Sequence, residues 1–277
     1  MEEKIYFKDS KNYFTYYSIS EVTLPLVVVI PGGGYHHTSL REAKNVVDFF
    51  LPLGFHAVVL NYREQHDVYP VPQKELAYIM DFFRENADRY HIDSNKILNI
   101  GFSAGAHLML SQTIYHNEYG KNSLPNGLVI CYPVVSSNKE FGHLSSFDVL
   151  INGLTIKDHA PSKEETYKHL EALKDNGKYD LLDKLSIERH IPNDFPESFM
   201  WHTQTDESVN IRNSLVLYNA FVDKNINCEY HIFPRGSHGM SLADDSMTVG
   251  GKYLKDDYIH QWTTYLVNWL RLKNWIK

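Results

Sequence analysis

Short apolar runs rich in β-branched residues alternate with amphipathic segments along most of this sequence. The run at residues 26–30, Leu-Val-Val-Val-Ile, is typical of a strand that is buried on both faces of a sheet. In the segment 39–50, apolar residues recur at the spacing of one helix face, at Ala43, Val46, Val47 and Phe50. This alternation predicts an α/β fold in which helices flank a mostly parallel central sheet.

The same patterns predict the other strands and helices, and one segment in which the alternation of strands and helices stops. Strands are predicted at 26–30, 55–60, 96–100, 128–132, 198–202 and 228–233, and helices at 39–50, from about 72, and at 104–115, 209–222 and 258–272. Ser39 and Glu42 fit a capping box at the start of the first helix. The rhythm breaks at 136–196, a polar stretch with helical pieces near 164–173. We therefore expect one α/β domain over 1–277, with 136–196 as a cap-like insertion over the top of the sheet.

The pentapeptide Gly-Phe-Ser-Ala-Gly at 101–105 joins a predicted strand to a predicted helix. The pattern G-x-S-x-G alone is weak, but this setting is the one that a nucleophile elbow requires. The serine must stand on a sharp turn with its hydroxyl clear of the sheet, and the positive end of the helix favours a developing negative charge. Ser103 is therefore the predicted nucleophile.

A glycine run, Pro-Gly-Gly-Gly-Tyr at 31–35, directly follows the strand at 26–30. Glycines allow backbone N–H groups to approach an oxyanion closely, as acyl transfer needs. Gly33 and Gly34, with the N–H of Ala104, are the predicted oxyanion-hole donors. A phosphate-binding P-loop would need a following Lys-Ser or Lys-Thr, and a dinucleotide fingerprint would need G-x-G-x-x-G; both patterns are absent here.

A general base and its acid are predicted near the end of the chain. His238 follows the last predicted strand in a glycine-flanked loop, and the order serine, acid, histidine is that of α/β hydrolases. Asp206 follows the strand at 198–202, where a carboxylate can orient the imidazole; the neighbouring Glu207 is the alternative.

Three residues are candidates for substrate contacts: Tyr35 for the acyl pocket, and Arg41 and Arg63 for an acidic or sugar-like group, although both arginines equally suit structural ion pairs. His107, one helical turn after Ser103, is expected to support the elbow. No metal site is predicted, because the adjacent His36 and His37 would not point the same way.

The composition of the sequence excludes some classes of binding partner and favours one cellular compartment. The formal net charge of −7 argues against nucleic acid, and the apolar run 24–30 is too short for a membrane span, which takes about 20 residues. The first residues are acidic where a signal peptide would be basic. Two cysteines, far apart in sequence, suit a reducing environment. A cytoplasmic protein with no nucleic-acid or membrane partner is expected, and homo-oligomers remain open.

At these motifs the sequence resembles the acetyl esterase and acetylxylan-esterase-like branch of the α/β hydrolases, near the hormone-sensitive-lipase-like esterases. The matching segments run nearly end to end, at 31–35, 39–42, 61–63, 101–107, 201–209 and 231–239. The resemblance implies the α/β-hydrolase fold, a triad of Ser103, Asp206 and His238, and an oxyanion hole of Gly33, Gly34 and Ala104. The sequence departs from the wider group at Pro31, where histidine is common. The resemblance is weakest at about 140–185.

We therefore expect a serine carboxylic ester hydrolase that acts through an acyl-enzyme on short acyl esters. The resemblance implies acetyl groups, including those on sugars or oligosaccharides, and the reaction needs no cofactor. Two alternatives remain: a serine peptidase of the prolyl-oligopeptidase type, and a non-catalytic binding protein with the same fold. The extra propeller-sized domain typical of such peptidases has no counterpart in this sequence.

Overall fold

A computed structural model describes residues 1–64, 67–153, 162–175, 177–249 and 252–277. Eight strands form one sheet: β1 Glu2–Tyr6, β2 Tyr13–Tyr17, β3 Leu24–Ile30, β4 His56–Asn61, β5 Ile92–Phe102, β6 Gly127–Cys131, β7 Ser198–Thr203 and β8 Cys228–Phe233. Their order across the sheet is β1-β2-β4-β3-β5-β6-β7-β8. Only β1 and β2 run antiparallel to their neighbours in it, and every pairing from β4 across to β8 is parallel. Two short strands, β9 Thr248–Val249 and β10 Lys252–Tyr253, pair separately.

Helices cover both faces of the sheet. They are α1 Lys44–Phe50, α2 Val71–Glu85, α3 Ala87–Tyr90, α4 Ala104–Ile114, α5 His116–Tyr119, α6 Leu144–Asn152, α7 Lys163–Ala172, α8 Asp180–Lys184, α9 Arg212–Asp223 and α10 Asp257–Leu272. Short 3-10 turns lie at Leu40–Glu42, Leu51–Leu53 and Ile187–Arg189. In the part of the chain that the structure describes, no helix has both the length and the apolar character that crossing a membrane requires.

Alternate residues of the central strand β3 supply two separate cores. Val28 and Ile30 pack with apolar side chains of α2, α4, α6 and α9 on one face. Val27 and Val29 pack on the other face with α1 and α10, whose Trp262 is fully buried. This burial on both faces explains why β3 reads as a continuous apolar run in the sequence, and it confirms the predicted α/β fold.

The predicted helix over 39–50 is wrong in its first turn. The chain forms a 3-10 turn at Leu40–Glu42, and α1 begins only at Lys44. Ser39 caps nothing with its side chain, so the predicted capping box does not form. Its other member, Glu42, is buried and hydrogen-bonded to the N–H of Gly32 instead. A tertiary partner has therefore replaced the local one.

The antiparallel strands β1 and β2 were not among the predicted elements. By contrast, the predicted interruption at 136–196 falls between β6 and β7. It contains α6, α7 and α8, although residues 154–161 and 176 of it lie outside the described residues. The prediction of one domain with a cap-like insertion stays a prediction.

The strand order sets the place where a ligand can bind. The chain leaves β3 for β4 on one side and then crosses to β5 on the other, so the loops after β3 and β5 diverge. In open α/β sheets, ligands bind at such a switch point, beyond the carboxyl ends of the strands. The glycine loop follows β3 here, and Ser103 follows β5.

Candidate active site

Ser103 lies at the tip of the turn between β5 and α4. Its φ of 53° and ψ of −119° are unfavourable for a residue with a side chain, a strain of about 1–3 kcal/mol. The turn is fixed to the next strand by two hydrogen bonds, from the N–H of Ser103 to the carbonyl of Cys131 (3.0 Å) and from the N–H of Val134 to the carbonyl of Ser103 (3.2 Å). This is the geometry expected of a nucleophile elbow.

The imidazole of His238 bridges Ser103 and Asp206. Its Nε2 lies 2.8 Å from Oγ of Ser103, and its Nδ1 lies 2.7 Å from Oδ2 of Asp206. The carboxylate accepts a hydrogen bond from Nδ1–H, which keeps the ring proton on Nδ1. Nε2 is therefore free of a proton and can accept the hydrogen bond of the serine hydroxyl. The side chain of His238 is 19% exposed, so a substrate can reach it. The structure thus brings together the predicted nucleophile, base and acid.

The carboxylate of Asp206 is buried and has four hydrogen-bond donors. Oδ1 accepts from the N–H groups of Ser208 (2.9 Å) and Val209 (2.8 Å), while Oδ2 faces His238 and also Nε2 of His202 (3.1 Å). Burial alone would raise the pKa of this carboxyl group, but the hydrogen bonds from His202 and His238 outweigh it, and the pKa lies below its usual range. Asp206 is therefore held in its charged form.

Glu207 is the alternative acid, and it lies in a different environment. Its side chain is exposed, whereas the contact to the imidazole is made by Asp206.

The role of His202 was missed at the sequence level, because a histidine on a buried strand is usually only a packed side chain. It is fully buried, and its Nδ1 lies 2.6 Å from Oγ of Ser214. Burial lowers the pKa of His202, which keeps the ring neutral. In a neutral ring, Nδ1 can accept a hydrogen bond from the hydroxyl of Ser214 while Nε2–H donates one to Asp206.

The glycine loop lies directly beside Ser103. A β-carbon placed on Gly32 would stand 2.9 Å from the β-carbon of Ser103. Gly33 has a φ of 120°, which only glycine adopts readily. Among the residues that the structure describes, none accepts a hydrogen bond from the N–H of Gly33, Gly34 or Ala104. All three therefore stay predicted oxyanion donors.

The three predicted substrate residues have different surroundings. Tyr35 is fully buried, and its hydroxyl is hydrogen-bonded to Nδ1 of His107 (2.8 Å). The hydroxyl is therefore engaged inside the protein and does not face a substrate. Arg63 is also buried, and it donates to the carbonyl of Asp67 (2.7 Å). Only Arg41 remains partly exposed, at 27%, with its guanidinium against Gly239, next to the catalytic-base candidate.

His107, which was expected to support the elbow, bonds through its ring to two other segments. Its Nε2 lies 2.9 Å from the carbonyl of Leu185, at the end of the insertion, and its Nδ1 receives the Tyr35 proton. Burial lowers the pKa of His107 to about 4. This neutral histidine therefore ties the glycine loop, α4 and the insertion together.

Two further residues near the site come from α6 and its cap. Nδ1 of His143 lies 2.8 Å from Oγ of Ser146, and that Oγ is 3.9 Å from the place of a β-carbon on Gly34. Burial, with the nearby imidazole of His238, lowers the pKa of His143 to about 4. Sequence reasoning missed both residues because the insertion has no regular relation to the sheet.

Two cavities lie near this region. One of about 540 Å³ touches His238 and is lined by Thr205, Glu207, Ser208, Gly236 and Ser237. Another of about 470 Å³ lies between α6, α7 and α8 and touches none of the three triad candidates. The first is the better candidate for substrate entry because it touches His238, while its lining includes neither Ser103 nor the glycine loop. Within the described ranges, no group of three or more His, Cys, Asp or Glu side chains is arranged to hold a metal ion.

Comparison with known proteins agrees with this architecture. The sequence profile of the family described as BD-FAE matches residues 16–221, about three quarters of the chain. The chain belongs to the BD-FAE family. The match includes Ser103, the glycine loop and Asp206, while His238 lies beyond its end.

Curated relatives of this BD-FAE protein are longer than it is. It is 28% identical over 257 residues to endo-1,4-beta-xylanase B of Butyrivibrio fibrisolvens, a match that covers 87% of this chain and 37% of the relative. It is 26% identical over 247 residues to an acetylxylan esterase of Xylanibacter ruminicola, covering 88% and 45%. The BD-FAE chain thus spans less than half the length of these two proteins.

Solved structures resemble the BD-FAE chain over almost its full length. An acetyl ester-xyloside bifunctional hydrolase from Caldicellulosiruptor lactoaceticus matches with a TM-score of 0.78 and 28% identity, covering 98% of this chain and 91% of that one. The carboxylesterase Cest-2923 from Lactobacillus plantarum matches with a TM-score of 0.80 and 22% identity, covering 100% and 98%. The fold is that of the α/β hydrolases, as the sequence motifs led us to expect.

Proposed function

We propose that this protein is a serine carboxylic ester hydrolase that acts on short acyl esters through an acyl-enzyme. The observation that carries the proposal is the continuous chain of contacts from Ser103 through His238 to Asp206, at 2.8 and 2.7 Å. A strained serine, a reachable base and a buried charged acid have a joint use in acyl transfer, and none of them is needed for packing alone.

The proposed reaction has two halves. Oγ of Ser103 attacks the ester carbonyl carbon while its proton passes to Nε2 of His238, and the carbonyl oxygen becomes an oxyanion held by the N–H groups of Gly33, Gly34 and Ala104. The C–O bond to the alcohol then breaks, and His238 returns the proton to the leaving alkoxide. Water, activated by the same imidazole, attacks the acyl-enzyme and releases the carboxylic acid and free Ser103.

Acetyl esters of sugars or xylan fragments are the proposed substrates. One similar protein is named an acetylxylan esterase, and a second is described as an acetyl ester-xyloside bifunctional hydrolase. Both names support this class of substrate. Oγ of Ser146 lies beside Gly34 of the glycine loop, with His143 bonded behind it, which favours a small acyl group there. Of the predicted substrate residues, we keep only Arg41, as a contact for the alcohol part of the ester.

The first experiment compares hydrolysis of p-nitrophenyl acetate, butyrate and octanoate by the wild type and by Ser103→Ala. We expect activity on acetate that fades towards octanoate and that falls by at least about 1,000-fold in the variant. Deacetylation of acetylated xylo-oligosaccharides then tests the sugar substrate. Equal rates for the two proteins would refute the serine mechanism and would favour a binding function for the fold.

A further inference from the structure

The turn Leu40–Glu42 contains a buried carboxylate that the proposed reaction does not use. Glu42 is 1% exposed, and both of its oxygens are engaged. Oε2 accepts the N–H of Gly32 (2.9 Å), the first residue of the glycine loop, and Oε1 accepts the hydroxyl proton of Tyr132 (2.8 Å). One side of this carboxylate therefore holds the loop that supplies the oxyanion donors.

Tyr132 carries the connection to the other side of the site. It directly follows β6, and its hydroxyl accepts the N–H of Ser241 (3.0 Å), three residues after His238. Its ring also stands nearly perpendicular to the imidazole of His238, with centroids 5.1 Å apart at 72°. Glu42 and the loop of His238 are thus joined by one phenol.

Arg41 adds two more contacts from the same turn to the His238 loop. Its carbonyl accepts the hydroxyl of Ser241 (3.0 Å), and its guanidinium packs on Gly239. Its Nε lies 3.9 Å from Oε1 of Glu42, close enough to offset part of the cost of burying that carboxylate. The turn therefore contacts both functional loops through backbone and side-chain groups.

A buried carboxylate is expensive, and an apolar side chain could fill the same volume at lower cost. A requirement for fixed distances explains its presence, because the two hydrogen bonds are directional. The oxyanion donors and the base must be placed around Ser103 within a few tenths of an ångström, and a misplacement of about 1 Å can cost about 100-fold in rate. Directional bonds to both loops meet that requirement.

We propose that Glu42 is a positioning residue which, acting through Tyr132, fixes the loop of His238 relative to the glycine loop on the two sides of Ser103. The inference rests on the proposed acyl-transfer function. Glu42 touches no reacting atom, and its effect is transmitted by the hydrogen bonds from Gly32 N–H, Tyr132 and Ser241.

The test uses Glu42→Gln, Tyr132→Phe and the double variant in the full chain. Glu75→Gln is the matched control, because Glu75 is also a buried acid but bonds to Asn12, away from both loops. kcat and KM for p-nitrophenyl acetate are measured per active site, which is counted by labelling with a fluorophosphonate. The thermal midpoint and the rate of that labelling are measured in parallel.

We expect Glu42→Gln and Tyr132→Phe each to lower kcat per labelled site by about 10- to 100-fold, with KM changed by less than about 3-fold. The double variant should be no worse than the poorer single variant by more than about 3-fold, since both act along one route. Glu75→Gln should keep the wild-type kcat. A reduced active fraction or thermal midpoint with an unchanged kcat per site, or effects that multiply in the double variant, would overturn the proposal.

Failure of the proposed function is recognised separately. If the wild type hydrolyses no ester but is labelled, the labelling rates of the same variants decide the role of Glu42, with the same fold-changes expected. If the wild type is neither active nor labelled, both proposals are refuted.

Discussion

The buried imidazole of His202 lies 3.1 Å from Oδ2 of Asp206, the oxygen that also faces the predicted base, His238. This second histidine is fully buried, yet it shares the carboxylate of Asp206 with His238. A carboxylate oxygen that accepts two ring N–H groups is held in place from both sides. The orientation of His238 is thus set by a side chain one layer deeper in the sheet.

We expect Asp206→Asn to lower kcat by about 1,000- to 10,000-fold while the protein stays folded. The amide would offer an N–H where two imidazoles now donate, so His238 would turn to the tautomer that cannot accept the serine proton. Steady-state kinetics with p-nitrophenyl acetate measures this. Glu207→Gln is the control, because its side chain is exposed. A larger loss in that control than in Asp206→Asn would reassign the acid.

Ser103→Gly should be inactive but more stable than Ser103→Ala, by about 1 kcal/mol in the free energy of unfolding. Both variants lack the hydroxyl, but only glycine accommodates a φ of 53° without strain. The gain is reduced by the greater freedom of glycine in the unfolded chain. Urea unfolding at neutral pH compares the pair. Equal stability would mean that the backbone strain at the elbow is no larger than the entropic cost of glycine in the unfolded chain.

Gly105→Ala should destabilise the protein by about 3 kcal/mol and reduce activity, because the carbonyl groups of Ile30 and Pro31 leave no room for a β-carbon at this first turn of α4. Gly54→Ala is the matched control. Its φ is 88°, but no atom lies within 4 Å of the added carbon, so it should cost only about 1 kcal/mol. Similar losses in both variants would show that close packing at Gly105 is not the reason for its glycine.

Replacing His107 by Gln should flatten the dependence of stability on pH in mildly acidic solution. Burial lowers the pKa of this histidine from 6.5 to about 4, so the unfolded chain binds its proton first as the pH falls. The wild type therefore loses stability from its full value above about pH 6.5 down to about pH 4, and His107 accounts for about 2 kcal/mol of this loss at about pH 5.

Urea unfolding of the wild type and His107→Gln at about pH 5 and about pH 7.5 isolates this contribution, because the other titrating groups are common to both proteins. An equal pH dependence in the two proteins would show that His107 takes up its proton as easily in the folded state as in the unfolded one.

The sequence identified the central strands and the triad candidates for a shared physical reason. Strands buried on both faces produce long apolar runs, and functional loops follow such strands directly, as Ser103 follows β5. The two antiparallel strands, the edge strand β1 and its neighbour β2, produce no such signal. β1 alternates exposed and half-buried residues, and β2 is defined by its antiparallel pairing with β4, a contact that local sequence does not encode.

Glu42 shows why the rest of the site was harder to predict. Its spacing from Ser39 satisfies a local capping pattern, yet its partners are Gly32 and Tyr132, the latter 90 residues away. His143 belongs to the same class, since its position depends on how the insertion folds back towards the glycine loop. Residues whose partners are set by tertiary structure carry no periodic signature.

The positions of the triad candidates along the sheet also bear on how the chain acquires activity as it folds. Ser103 and His238 are separated by 135 residues, and His238 follows β8, the parallel strand at the sheet's edge. Long-range parallel pairings form slowly, because loop closure must precede the contacts that reward it. Recovery of catalysis after dilution from denaturant should therefore lag behind recovery of helix content. The proposed turnover would report docking of β8, and a nascent chain would stay inert until the segment that carries His238 had been synthesised.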